Sequence, residues 1–231
     1  MKKILILFYL ITTSSSLLSQ NFFLKLGSNF STQEYFGFGE DLKQELLLGL
    51  QFGSGVEFLL SENLVFSPEL HIISKGTKYE RAIPIFNEIV QTRSKIWYVV
   101  PSLLFKYSWD TKKEEMGYYI KLGPYGGYDF YSKIHNLTTR SVVDGNGDLI
   151  TQSSERELAE FNSSFNFSLL DYGLEAALGL DYNKLFIEIG YSYSLVTIGR
   201  DQAFAIINKT AYLNFGYYFN RKNKSDDDIK K

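Results

Sequence analysis

With 231 residues, of which 45% are hydrophobic and 22% charged, the chain is long enough for one sizeable core and is neither a disordered polymer nor a bundle of membrane helices. A formal charge of −2 offers no basic surface for nucleic acid. The lack of any cysteine excludes a disulfide scaffold, a thiolate metal site, a catalytic thiol and an acylated lipoprotein signal.

The chain opens MKKILILFYLITTSSSLLSQ: Lys2 and Lys3 give a positive start, Ile4 to Ile11 an apolar run, and Ser14 to Ser19 small residues for cleavage. This is secretory signal anatomy, with cleavage expected between Ser19 and Gln20, and the apolar run is too short to cross a bilayer as a helix. The predicted organisation is a signal peptide over 1–19, one β-domain over 20–219 and a polar, disordered tail over 220–231.

Past the signal, period-2 patterning rich in Tyr, Phe, Leu, Ile and Val predicts strands near 22–31, 45–60, 64–79, 92–109, 116–136, 165–182, 185–198 and 208–219. Helical periodicity is weak apart from one expected turn near 155–161. Short polar links (Ser61-Glu62-Asn63, 110–115, Asn183-Lys184) alternate with long ones (32–44, 80–91, 137–164, 199–207). That alternation is what an up-and-down barrel shows when one rim faces the periplasm and the other the exterior. An even strand count puts both termini on the short-turn, periplasmic rim. The longest link, 137–164, contains the turn-forming run Asp144-Gly145-Asn146-Gly147-Asp148.

The strands have two unlike faces. In 165–182, Leu170, Tyr172, Leu174, Ala176, Leu178, Leu180 and Tyr182 oppose Asp171, Gly173, Glu175, Ala177, Gly179 and Asp181. A carboxylate facing lipid at mid-membrane is costly, so the second row is expected to point inward. The same split recurs in 185–198 (Ile187, Ile189 and Tyr191 against Glu188 and Gly190), in 45–60 and in 92–109. Inward charges of both signs follow: Lys25, Glu57, Glu69, Lys106, Lys121, Glu175 and Glu188. Buried charges persist only when paired, so these are expected to form a lumenal network that closes the barrel. Eight strands leave room only for side chains. An aromatic content of 16% and a mean hydropathy of −0.13 agree with such a barrel, which needs aromatic girdles and averages near neutral. The final strand, Ala211 to Phe219, closes on an aromatic, as strands read by barrel-insertion machinery do.

Little in the chain suggests chemistry. His71 shares a strand face with Glu69 and reads as a hydrogen-bonded lumenal histidine. His135, with Ser132 or Ser141 and Asp129, is the one set from which a hydrolytic triad could be assembled, and no motif surrounds it. No HExxH or His-x-x-His spacing is present, so no metal and no cofactor are expected.

Three segments resemble PorT-type outer-membrane β-barrel domain proteins: Ile96-Trp97-Tyr98-Val99-Val100-Pro101-Ser102-Leu103-Leu104-Phe105-Lys106-Tyr107, then Tyr118-Tyr119-Ile120-Lys121-Leu122-Gly123-Pro124-Tyr125-Gly126-Gly127-Tyr128, and Asp171-Tyr172-Gly173-Leu174-Glu175-Ala176-Ala177-Leu178-Gly179-Leu180. The resemblance spans roughly 20–219 and departs in the polar tail after Phe219. It implies the barrel and its location. Most members of that group have no assigned activity, one branch is linked to protein secretion, and no shared catalytic residues carry over.

The expectation is therefore an all-β, eight-stranded antiparallel up-and-down transmembrane barrel in a Gram-negative outer membrane, with a structural or partner-interaction role and no catalysis. Its expected partners are outer-membrane lipid, the barrel-insertion machinery and another envelope protein. Two alternatives stand beside it. One is a lipid A-modifying enzyme of the outer membrane. The other is a soluble periplasmic, lipocalin-like binding barrel, which would turn the apolar rows inward.

Overall fold

In the computed structural model, residues 20–36, 43–83, 88–109, 116–143, 149–161, 169–198 and 205–220 are described. The signal segment and residues 221–231 of the tail lie outside them. Alternating apolar and polar residues satisfy a sheet with unlike surroundings on its two faces, and the described chain is built from strands accordingly. These are β1 (Gln20–Phe36), β2 (Lys43–Glu45), β3 (Leu47–Leu59), β4 (Leu64–Ile83), β5 (Glu88–Trp109), β6 (Met116–Val143), β7 (Leu149–Phe161), β8 (Leu170–Tyr182), β9 (Leu185–Ser194) and β10 (Ala205–Tyr218).

Eight of these strands form the wall. Going round, β1 pairs β3, then β4, β5, β6, β8, β9 and β10 follow, and β10 returns to β1, every pairing antiparallel. The ring is thus closed and has no edge within it. β2 continues the line of β3 beyond Leu46 and pairs β4 above it. β7, the remaining strand, stands outside the ring, paired to the upper half of β6 from Tyr131↔Phe161 to Val143↔Leu149.

β7 corrects two expectations. Within the segment 137–164, residues 137–143 and 149–161 are not loop: β6 runs on to Val143 and β7 returns beside it as a hairpin. The turn of helix expected near 155–161 is strand. β4 and β5 likewise pair up to Ile83↔Glu88, so most of the link expected over 80–91 is also strand. The Asp144 to Asp148 run lies outside the described residues. A bulge between Trp97 and Tyr98, opposite Tyr131 and Asp129, marks where the wall passes into this extension.

Burial follows the pleat. Leu26 and Ile189 are each 62% exposed, whereas their chain neighbours Lys25 and Glu188 are each 1% exposed. The row Leu170, Tyr172, Leu174, Leu178, Leu180 and Tyr182 is exposed, and Asp171, Glu175 and Asp181 are buried. The apolar rows therefore form the outer wall. This overturns the soluble, lipocalin-like alternative, which required them inside. On β5 the outward residues run from Trp97 to Trp109, about 40 Å of strand, or about 30 Å along the axis at a tilt of ~40°, which matches a bilayer with its girdles.

The inward row has a steric rule of its own. Five inward glycines lie opposite inward aromatics on the next strand: Gly55 by Phe23, Gly173 by Tyr125, Gly179 by Tyr119, Gly190 by Tyr212 and Gly216 by Phe186. A Cβ at Gly179 would stand 2.0 Å from the Tyr119 ring, and one at Gly216 would stand 2.0 Å from Phe186. Each ring takes the space that a side chain at the glycine would fill, which lets a narrow lumen hold large side chains.

Candidate functional site: the lumen and the projecting sheet

The lumen is occupied in layers. Nearest the rim where β1 begins and β10 ends, Lys106 Nζ donates to Glu57 (2.9 Å), Asp181 (2.9 Å) and the Tyr218 hydroxyl (2.9 Å), and that hydroxyl donates to Glu57 (2.8 Å). These residues come from β5, β3, β8 and β10, so one ammonium ties together four staves. The Lys106 ammonium also sits 4.1 Å from the centre of the Tyr119 ring.

The middle layer is a square of alternating charge. Lys121 Nζ bridges Glu69 (2.8 Å) and Glu188 (3.0 Å), while Lys25 bridges the same two carboxylates, with 2.9 Å to Glu188. All four side chains are fully buried. Tyr119 donates to Glu188 (3.3 Å), and the His71 ring stands 3.3 Å from Glu69 with Gln51 on its other nitrogen at 3.0 Å.

Above the square, Glu175 accepts from Tyr212 (2.6 Å) and Ser102 (3.0 Å). A space of about 10 Å³ remains beside Gln51, His71 and Glu175, room for about one water molecule. The upper layer centres on Asp171, which accepts from Lys75 (2.9 Å), Asn208 (3.1 Å) and Tyr125 (3.2 Å). The Lys75 ammonium lies over the Tyr125 ring at 4.4 Å.

All seven residues that the alternation singles out, Lys25, Glu57, Glu69, Lys106, Lys121, Glu175 and Glu188, lie in this lumen, six of them in ion pairs and Glu175 on neutral donors. The sequence reading missed Lys75, although it shares the parity of Glu69 and His71, and it missed the inward tyrosines. Among the described residues, the buried charges are four lysines and seven carboxylates, so the lumen holds an acidic excess.

The hydrolytic set is not brought together. Ser132 donates to Asp129 (2.6 Å), and both are buried. His135, three residues along the same strand, is on the other face and pairs with Glu155 of β7. The Ser141 side chain lies outside the described residues. Among the described residues, no group of His, Asp and Glu is arranged to hold a metal ion.

The second feature is the sheet of β4, β5, β6 and β7 that continues past the girdle. From Ile96 back to Glu88, β5 extends about 26 Å at ~3.3 Å per residue. Its outward face is charged: Lys133 bonds Glu157 (2.8 Å), which holds its ammonium above the ordinary lysine range; on the opposite face, that of Ile96 and Ser132, Arg140 stands 3.6 Å from Glu88. A groove of about 270 Å³ on the outward face is bordered by Lys78, Glu80, Gln91, Arg93 and His135.

A family model agrees with this architecture. The family model for the outer membrane protein β-barrel domain matches residues 16–198. No curated protein matches the chain. Among solved structures, the chain is similar to Ail, the attachment invasion locus protein of Yersinia pestis, at 15% identity over 87% of this chain and 100% of that one, with a TM-score of 0.38. It is similar to Neisserial surface protein A at 14% identity over 87% and 99%, with a TM-score of 0.38. The N-terminal β-barrel domain of Pseudomonas aeruginosa OprF matches at 11% identity over 85% and 97%, with a TM-score of 0.31.

Proposed function

The chain belongs to the outer membrane protein β-barrel domain family, and from that premise we propose that it is a closed, non-catalytic barrel of the outer membrane that anchors a projecting β-sheet for contact with another envelope component. The observation that carries this reading is the pairing of a filled lumen with a long hairpin outside the ring. Lys25, Glu69, Lys121 and Glu188 cross the middle of the barrel, while β6 and β7 extend beyond the girdle. Exposed elements on a rigid scaffold are where interaction residues concentrate. Absence of catalysis is part of the proposal: His135 and Ser132 point to opposite faces, so the lipid A-modifying alternative lacks a convergent set. Within the family, the three segments quoted from 96–107, 118–128 and 171–180 support a PorT-type assignment. The signal over 1–19 and the tail over 220–231 belong to the same reading, with the termini periplasmic and the projecting sheet outside the cell.

Orientation is tested directly, because the chain carries no cysteine. Gln152→Cys, on exposed β7, is expected to react with a membrane-impermeant maleimide on intact cells, and Glu62→Cys, in the short turn between β3 and β4, only after the outer membrane is opened. The opposite pattern would invert the barrel. Crosslinking from position 152 then searches for the partner.

The filled lumen has its own test. In planar bilayers the refolded protein is expected to give no stable, large conductance, since ion-paired side chains occupy the path that water would need. Steady open-channel currents would remove the closed-barrel reading.

A further inference from the structure

The lower part of the projecting sheet carries its charges in an order that solvent alone does not require. Register places Gly76, Lys95 and Lys133 side by side in one row across β4, β5 and β6, and Lys78, Arg93 and His135 in the next row outward. Their side chains point away from the barrel axis, because the intervening Thr92, Ser94 and Ile96 are buried. Lysines directly opposite one another in a sheet repel. Lys95 and Lys133 are nevertheless paired across β5 and β6.

Lys133 has Glu157 beside it, but Lys95 has no carboxylate partner among the described residues and lies instead over the Trp97 ring at 5.1 Å. Trp97 and Tyr131 are the next outward pair toward the membrane, so the two lysines stand one step above the girdle, at headgroup height. The carboxylates lie to the side or farther out. Glu45 and Glu157 flank the second row, and Glu80 and Glu155 lie in the third. Cationic charge is thus concentrated against the bilayer, and the groove of about 270 Å³ opens directly above it.

We propose that this face docks the phosphorylated headgroup of an outer-leaflet glycolipid, with Lys95, Lys133 and Arg93 taking the phosphate and Trp97 set against the acyl boundary. Guanidinium and ammonium groups held on adjacent strands suit a phosphate monoester, and a headgroup in place would relieve the repulsion between the paired lysines. The proposal rests on the outward orientation of the sheet, which the maleimide labelling tests separately.

The experiment uses the full mature chain refolded in detergent and monitored by heat-modifiable gel migration. Binding of bisphosphorylated lipid A is measured by native mass spectrometry beside lipid A stripped of phosphate and inorganic phosphate alone. The double variant Lys95→Glu, Lys133→Glu is expected to bind bisphosphorylated lipid A at least about tenfold more weakly than the wild type. Dephosphorylated lipid A should bind both proteins equally weakly, and Lys209→Glu, on β10, should behave as wild type. The milder pair Lys95→Gln, Lys133→Gln keeps the test open if charge reversal prevents folding. Equal affinity of wild type and either folded double variant, or no preference for the phosphorylated lipid, would overturn the proposal. Inorganic phosphate binding as tightly as the lipid would overturn its assignment to a lipid headgroup.

Discussion

Replacing Lys121 with methionine is expected to destabilise the barrel by about 3–5 kcal/mol, the usual cost of breaking a buried ion pair from one side. Lys121 is fully buried and bridges Glu69 and Glu188, so its loss leaves two carboxylates sharing the single ammonium of Lys25. The lumen already holds more carboxylates than lysines, and the other two lumenal lysines are engaged elsewhere, Lys75 with Asp171 and Lys106 with Glu57 and Asp181. Methionine fills the stem volume but supplies no charge, which separates electrostatics from packing. With a denaturant slope of ~2 kcal/mol per molar for urea, the midpoint read from heat-modifiable migration should fall by roughly 2 M. Lys121→Met combined with Glu188→Gln should recover part of that loss by removing the stranded charge. A midpoint within about 0.3 M of wild type would mean that the square of charges contributes little.

The second large effect is steric. A Cβ at Gly190 would lie 2.3 Å from the Tyr212 ring and hydroxyl, so Gly190→Val must expel that ring from its seat. The same hydroxyl donates to Glu175 at 2.6 Å, and among the described residues only Ser102 otherwise bonds that carboxylate. The substitution therefore combines overpacking, about 1–3 kcal/mol, with a weakened hydrogen bond to a buried charge, about 1.5–3 kcal/mol. Tyr212→Phe, which keeps the ring and removes only the hydroxyl, should show the second effect alone. If Gly190→Val is no more destabilising than Tyr212→Phe in the same urea titration, the ring is free to move and the close packing over glycine is not a constraint.

Much of the wall was legible in the sequence because its two faces meet different solvents. Lipid on one side and a narrow polar lumen on the other force a strict period of two, and Leu170 to Tyr182 shows it without interruption. The hairpin of β6 and β7 was not legible for the same reason in reverse. Residues 150–157 are exposed, and water on both faces imposes no alternation, so a run such as Thr151-Gln152-Ser153-Ser154-Glu155 looks like loop. The inward charges could be named from parity, but their partners could not. Lys106 meets Glu57 and Asp181 only because β3, β5 and β8 curve round to face one another across the ring. The glycine–aromatic pairs were hidden for a related reason: either residue alone fits an inward row, and only the register brings Tyr119 opposite Gly179. The basic rows above the girdle likewise exist only across strands.

The seam between β1 and β10 has a consequence for biogenesis. It joins the first and last strands of the described chain in one unbroken register from Phe23↔Tyr218 to Phe36↔Ala205. Tyr218, at the end of β10, also supplies the hydroxyl that meets Lys106 and Glu57. A nascent polypeptide cut short before β10 therefore lacks both its zipper and the phenol that fastens its base. Enclosure thus depends on the last stretch of chain to be made: an incomplete copy presents raw edges and unsheltered charge where a finished barrel has neither.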